Sequence, residues 1–244
     1  MRDYAKEFEN RVAFIRDLLK SSGAKGVIYG NSGGKDSALV GILCKAACDN
    51  TVGIMMPCAS KRNFGEDMTD GLAVAEQFNI ETRTVDLTAE KELVMQTLSA
   101  VTTLNQMATS NIAPRLRMLT LYTIGAAEGR LVAGTGNRSE AYMGYFTKWG
   151  DGAYDFNPIA DLTVTEVYAF LSWLHAPENI IRKAPSAGLF EGQTDEQEMG
   201  VTYKAIDDFL LYGTVNAQDK AVIDRYHNRS EHKRKPLVTY KGKG

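Results

Sequence analysis

Short strand-like runs that alternate with helix-patterned segments constrain this chain more than any other feature. Gly26-Val27-Ile28-Tyr29-Gly30 reads as a buried strand, being brief, apolar throughout and bounded by glycines. Val52-Gly53-Ile54-Met55-Met56 repeats the pattern and stops at Pro57, Thr82 to Leu87 reads as a third strand, and Arg130-Leu131-Val132-Ala133-Gly134-Thr135 looks like a fourth, core strand. Between them lie segments of a different period. Tyr4, Phe8, Val12, Ile15, Leu18 and Leu19 recur at spacings of three and four over Asp3 to Ser22, which Gly23 ends. A second helix carries Leu39, Val40 and Leu43, and a third spans Asp67 to Phe78 around Leu72, Val74 and Ala75. Strands separated by helices join as right-handed crossovers, so the expected fold is α/β: a Rossmann-like, doubly wound parallel sheet with flanking helices. In such folds ligands sit beyond the carboxyl ends of the strands.

The rest of the chain reads as mostly helical from Ala89 to Gly129 with an interruption near Pro114, then helical again over Val164 to Leu174 and Glu196 to Leu211. Gly144 to Pro158 and Pro185 to Thr194 are irregular, as binding loops often are. There is no internal repeat or linker, so one domain over residues 1–244 is expected. The 28 Lys and Arg against 30 Asp and Glu leave a net charge of -2, which argues against a nucleic-acid partner. No apolar run reaches the roughly 20 residues of a membrane helix, so no membrane partner is expected. Three cysteines, an odd number, and an opening without a signal-like apolar stretch point to the cytoplasm.

Ser32-Gly33-Gly34-Lys35-Asp36-Ser37 falls directly between the first strand and its helix. The glycines permit close approach of a ligand, and the free N–H groups that open the helix attract an anion. Ser32 and Ser37 add hydroxyls, Lys35 adds charge, and Asp36 can hold a magnesium ion that bridges phosphate oxygens. A plain turn with a helix cap uses Gly, Asp and Ser too, but does not require all six residues together. The spacing is not that of a Walker A loop.

After the fourth strand comes Gly134-Thr135-Gly136-Asn137-Arg138-Ser139-Glu140. If that strand pairs with the first, Glu140 approaches Asp36, and two carboxylates facing a triphosphate suit Mg²⁺. A capped helix start explains Asn137, Ser139 and Glu140 equally well.

The six-residue loop is similar to that of the PP-loop ATP pyrophosphatases, which cleave ATP between its α and β phosphates. Further blocks narrow the resemblance: Asn111-Ile112-Ala113-Pro114-Arg115-Leu116-Arg117-Met118, Phe146-Thr147-Lys148-Trp149-Gly150-Asp151-Gly152, Asn157-Pro158-Ile159, Pro185-Ser186-Ala187, Gly192-Gln193-Thr194-Asp195-Glu196 and Glu231-His232-Lys233-Arg234. In that order, and over almost the whole chain, they resemble the ammonia-dependent NAD synthetases. The resemblance implies a single synthetase-like domain that adenylates deamido-NAD with ATP and passes the carboxyl group to ammonia, as a homodimer. It assigns Asp36 and Glu140 to magnesium; Ser32, Gly33, Gly34, Ser37, Thr135 and Ser186 to ATP; and Arg115, Lys148, Asp155, His232 and Lys233 to deamido-NAD. Asp151 and Asp195, on loops of the matching blocks, are candidates for handling the ammonia proton. Val164 departs from the pattern, standing where many members carry a lysine that contacts ATP; Lys35 or Lys183 is a candidate to supply the missing charge.

Competing readings are another PP-loop ligase, or a silent nucleotide-binding paralogue, the latter motivated by Val164. Cys44 and Cys48 lie four apart on a helix but lack the further ligands zinc takes, and read as core. His175 and His227 have no evident catalytic partner in the sequence.

Overall fold

The computed structural model describes residues 2–60, 64–183 and 194–240. Helix α1 (Tyr4–Ser22) starts at Asp3, whose side chain accepts the Lys6 N–H, and stops at Gly23, which takes φ +70. Strand β1 (Gly26–Gly30) feeds α2 (Lys35–Ala47); β2 (Thr51–Met55) is followed by α3 (Glu66–Gln77), and β3 (Glu81–Thr84) by α4 (Thr88–Ser99). Helices α5 (Gln106–Ser110) and α6 (Ile112–Glu128) lead to β4 (Arg130–Ala133) and α7 (Arg138–Met143).

The strands form one parallel sheet in the order β3-β2-β1-β4. The chain moves outward from β1 in one direction, then returns to place β4 on its other side, which makes the β1/β4 boundary the switch point. Tyr29 pairs with Ala133, so the loops after β1 and β4 leave the sheet side by side. An isolated parallel bridge from Ala133 to Phe156 extends the sheet beyond β4.

Alternation along β1 supplies both sheet faces. Val27 and Tyr29 are fully buried in a cluster with Ile15, Leu39, Leu43 and Phe170, whereas Ile28 points the other way, into Val52, Ile54 and Val132 beneath α6. Burial of each such side chain contributes about 1.5–3 kcal/mol. Tyr29 also explains two glycines: a Cβ at Gly41 would lie 2.3 Å from its hydroxyl, and one at Gly53 would lie 2.9 Å from it.

Helices α8 (Val164–Trp173) and α9 (Glu178–Arg182) pack on α2, while α10 (Asp195–Met199), α11 (Tyr203–Tyr212), α12 (Ala217–Arg229) and α13 (Glu231–Arg234) build a further helical layer. Met143, Val164, Met199, Tyr203, Ile206 and Ile223 form its core.

Two expectations about helices are refined. The Ala89–Gly129 region breaks twice, at Asn111 near Pro114 and also over residues 100–105; Pro114 sits in the first turn of α6, where its missing N–H costs no helical bond. The segment Glu196 to Leu211 is two helices, because Gly200 adopts φ +74 and Thr202 caps a new start. No described helix is long and apolar enough to cross a membrane.

Candidate active site

Two short loops, one after β1 and one after β4, supply the groups at the switch point. Asn31, buried at the end of β1, donates from Nδ2 to the Gly71 carbonyl at 3.0 Å and anchors the start of the loop. Gly33 then takes φ +68, and a Cβ there would meet the Asp67 carbonyl oxygen at 2.0 Å. Gly34 is the N-cap of α2 and offers no side chain to its first turn. Those opening N–H groups have no intrahelical partner and form an anion seat. Ser32 Oγ donates to Ser37 Oγ at 3.1 Å, and Ser37 Oγ donates to the Gly34 carbonyl at 3.0 Å, holding the loop closed around the seat.

The second loop contributes Asn137 and Glu140. Asn137 Oδ1 accepts the Glu140 N–H at 3.0 Å, and Glu140 Oε2 accepts the Asn137 N–H at 3.2 Å. This is a capping box, so Glu140 serves as a helix cap and also presents a carboxylate. Asn137 Nδ2 donates to Asp36 Oδ1 at 3.1 Å and ties the loops together. Lys35 Nζ lies 2.7 Å from Asp36 Oδ2 and 3.7 Å from Glu140 Oε1. Burial holds the Glu140 carboxyl above its ordinary range, and the Asp36 charge adds to this against the opposing pull of Lys35. Burial disfavours the charged form of Lys35, but Asp36 and Glu140 outweigh it and keep the ammonium protonated.

These groups open on a cavity of about 960 Å³, also lined by Thr135, Asp151, Asp195, Lys183, His232 and Lys233. Asp151 Oδ1 accepts the Thr147 N–H at 2.9 Å from a solvent-accessible position. Asp195 is buried, with Tyr203 donating its hydroxyl to Oδ2 at 3.0 Å. Lys183 Nζ lies 2.8 Å from Asp67 and 2.6 Å from Asp70, which restrains the ammonium beside the phosphate loop. The Val164 side chain packs in the third apolar cluster, and its N–H donates to Ser139 Oγ at 3.3 Å.

The residues expected to hold the second substrate are spread more widely. Lys233 Nζ donates to the Gly144 and Phe146 carbonyls, at 2.8 and 2.6 Å. Arg115 and Lys148 stand outside the cavity lining, with Arg115 Nη2 donating to the Lys148 carbonyl at 3.4 Å and Lys148 Nζ to the His232 carbonyl at 2.9 Å. Asp155 is also outside the lining; it accepts the Val132 N–H at 2.8 Å and the Tyr122 hydroxyl at 3.3 Å. Ser186 lies outside the described residues.

Sequence reasoning passed over Arg117, which lines the cavity from the same helix as Arg115 and donates from Nε to the Met56 carbonyl at 3.1 Å. Burial pushes its guanidinium pKa down. The two-residue offset from Arg115 was the available signal, since it turns the side chain roughly 200° around a helix of 3.6 residues per turn.

Cys44 and Cys58 are buried free thiols, Cys48 is a half-buried one, and His227 stacks on Tyr142 with ring centroids 4.1 Å apart. Among the described residues no cluster of three or more His, Cys, Asp or Glu is arranged for a metal.

An anion seat at a helix start, facing paired carboxylates at the switch point of a parallel sheet, defines a nucleotide-using α/β enzyme of the PP-loop type. More narrowly, the chain belongs to the NAD synthase family, whose model matches residues 7–237. It is 44% identical over 236 residues to the NH(3)-dependent NAD(+) synthetase of Carboxydothermus hydrogenoformans, covering 96% of each chain. Among solved structures, it superposes on the NMN synthetase of Francisella tularensis with a TM-score of 0.94 and 38% identity, covering 99% of this chain and 100% of that one. The NH3-dependent NAD synthetase of Campylobacter jejuni, solved with a nitrate ion, gives a TM-score of 0.80 at 30% identity, covering 99% of this chain and 100% of that one.

Proposed function

We propose that this enzyme amidates deamido-NAD to NAD with ammonia, consuming ATP and releasing AMP and pyrophosphate. The observation that carries the reading is the convergence of the Ser32–Ser37 loop with Glu140, joined by the Asn137 to Asp36 hydrogen bond. Ser32, Gly33, Gly34, Lys35, Ser37, Thr135 and Ser186 are assigned to ATP; Arg115, Lys148, Asp155, His232 and Lys233 are assigned to deamido-NAD.

Asp36 and Glu140 fit Mg²⁺: they converge, and the ammonium of Lys35 beside them marks a place that attracts a cation. Mg²⁺ commonly takes one or two carboxylates and completes its shell with phosphate and water. When bound, it would neutralise charge on the phosphates. The phosphate loop holds the triphosphate so that a nicotinate carboxylate oxygen attacks the α-phosphorus and pyrophosphate leaves. Ammonia then attacks the acyl carbon of the mixed anhydride, AMP departs, and one proton is released. Asp151 and Asp195 are the candidates to accept that proton.

A homodimer, a cytoplasmic location and one domain over residues 1–244 complete the reading. The dimer is supported by apolar side chains exposed on α5 and α6, among them Met107 and Leu119, and the location by three free thiols. The span of the family match supports the single domain.

The closer superposition on the Francisella NMN synthetase favours a second acceptor, the carboxylate of nicotinic acid mononucleotide. One experiment tests both. Purified protein is given Mg-ATP, ammonium and either acid, and amide, AMP and pyrophosphate are quantified. Equal amounts of all three products from deamido-NAD support the main reading, a larger kcat/KM with the mononucleotide supports the second, and ATP binding without AMP from either acid overturns both.

A further inference from the structure

Lys35 of the phosphate loop is enclosed within the site. It is the first residue of α2, yet its side chain is directed into the protein and buried. Its ammonium touches Asp36 at 2.7 Å and stands 3.7 Å from Glu140. The Tyr168 and Tyr203 rings lie over it, with centroids 6.0 and 5.7 Å away, within the range of cation–π attraction. It therefore has carboxylates on one side and aromatic faces on others, an enclosure suited to a monovalent cation.

A divalent ion drawn to Asp36 and Glu140 meets this positive charge at short range in a partly desolvated site, where repulsion between like charges is only weakly screened. A triphosphate entering the neighbouring anion seat changes the balance. Its oxygens offer Lys35 an alternative partner through the rotatable four-carbon stem of the side chain.

We infer that Lys35 is a resident cation of the carboxylate pair, which competes with the divalent ion while the enzyme is empty and transfers to the triphosphate when nucleotide binds. Metal loading at Asp36 and Glu140 is then conditional on ATP. This rests on the reading of those two residues as the metal-holding pair, and makes Lys35 a positioning residue for the metal as well as a phosphate contact.

The test is Mn²⁺ binding to ATP-free protein, followed by the loss of the free-ion paramagnetic resonance signal, for the wild type, Lys35→Met and Lys35→Arg. Lys35→Gln serves as a second neutral variant should Lys35→Met fail to fold. The expected result is that Mn²⁺ binds roughly tenfold or more tightly to the neutral variants, equivalent to about 1.4 kcal/mol, and unchanged to Lys35→Arg. Mg-ATP, measured by calorimetry, binds the neutral variants more weakly than the wild type. Equal Mn²⁺ affinity in the wild type and a neutral variant overturns the inference, as does equal tightening in Lys35→Arg, because the charge would then not be the cause. Wild-type turnover of deamido-NAD is read separately, so failure of the proposed reaction is distinguishable from failure of this competition.

Discussion

Asn137 donates from Nδ2 to Asp36 Oδ1 at 3.1 Å, joining two loops that are 101 residues apart in the chain. The same side chain caps α7 through the Glu140 N–H, so one fully buried residue sets the position of both carboxylates. Asn137→Ala removes both bonds. It is expected to cost about 1–2 kcal/mol of stability and to lower kcat/KM for ATP by roughly tenfold or more. Asn137→Asp can still cap the helix but sets a third carboxylate against Asp36, so turnover falls with a smaller loss of stability. Urea unfolding and initial rates separate the effects; full turnover in Asn137→Ala would show that the bond does not position the site.

Gly33→Ala tests the phosphate loop from the backbone. Its φ of +68 is unfavourable for alanine, and the added Cβ would lie 2.0 Å from the Asp67 carbonyl oxygen. A cost of about 1–3 kcal/mol is expected, with ATP binding lost on calorimetry. Gly34→Ala has no positive φ, and its Cβ would meet Ser32 Oγ at 3.3 Å, so the milder phenotype belongs there. Equal effects at the two positions would count against this geometry.

Stability should also depend on pH through Asp161. Burial raises its pKa, but hydrogen bonds and charge from Arg11, with a contribution from Arg2, outweigh that and hold the carboxyl below its usual range. The folded state therefore binds this proton less readily than the unfolded chain. The stabilisation is present above the unfolded value of about 4 and is lost as pH falls through the folded value. Because the Asp161 side chain is 54% exposed, solvent screening limits the contribution to about 1 kcal/mol or less. Asp161→Asn is expected to be less stable than the wild type at pH 7 and to converge with it once the pH has fallen below the lowered folded-state value. Thermal melts across that range decide it, and a gap that persists at low pH would point to lost packing instead.

How much was legible follows from where the information lies. Strands β1, β2 and β4 and the phosphate loop were readable because apolar runs, Gly33 and Gly34 act over a few residues, whereas β3 carries the polar sequence Glu81-Thr82-Arg83-Thr84. The division at Gly200 was not, because an amphipathic pattern continues across it and only the left-handed backbone separates the helices. Glu140 was readable both as a cap and as a metal carboxylate; it has the cap geometry and stands near Asp36, since an N3 carboxylate can bond backward while facing the cleft. The burial of Lys35 between Asp36 and the two tyrosines depends on residues 168 and 203, which no local pattern connects to position 35. Arg117 was obscured for a similar reason: its place in the cavity wall depends on a hydrogen bond to the Met56 carbonyl, 61 residues away in the chain.

The central claim, that the substrate carboxylate attacks the α-phosphorus at this cleft, has a direct isotopic test. Deamido-NAD carrying ¹⁸O in both oxygens of its nicotinate carboxylate is turned over with unlabelled ATP and ammonium, and the AMP is weighed by mass spectrometry. The oxygen that bonds phosphorus must leave with it when ammonia displaces the adenylate. The account predicts AMP bearing one ¹⁸O per turnover and unlabelled pyrophosphate. Unlabelled AMP, or label in inorganic phosphate with ADP as the product, would contradict it.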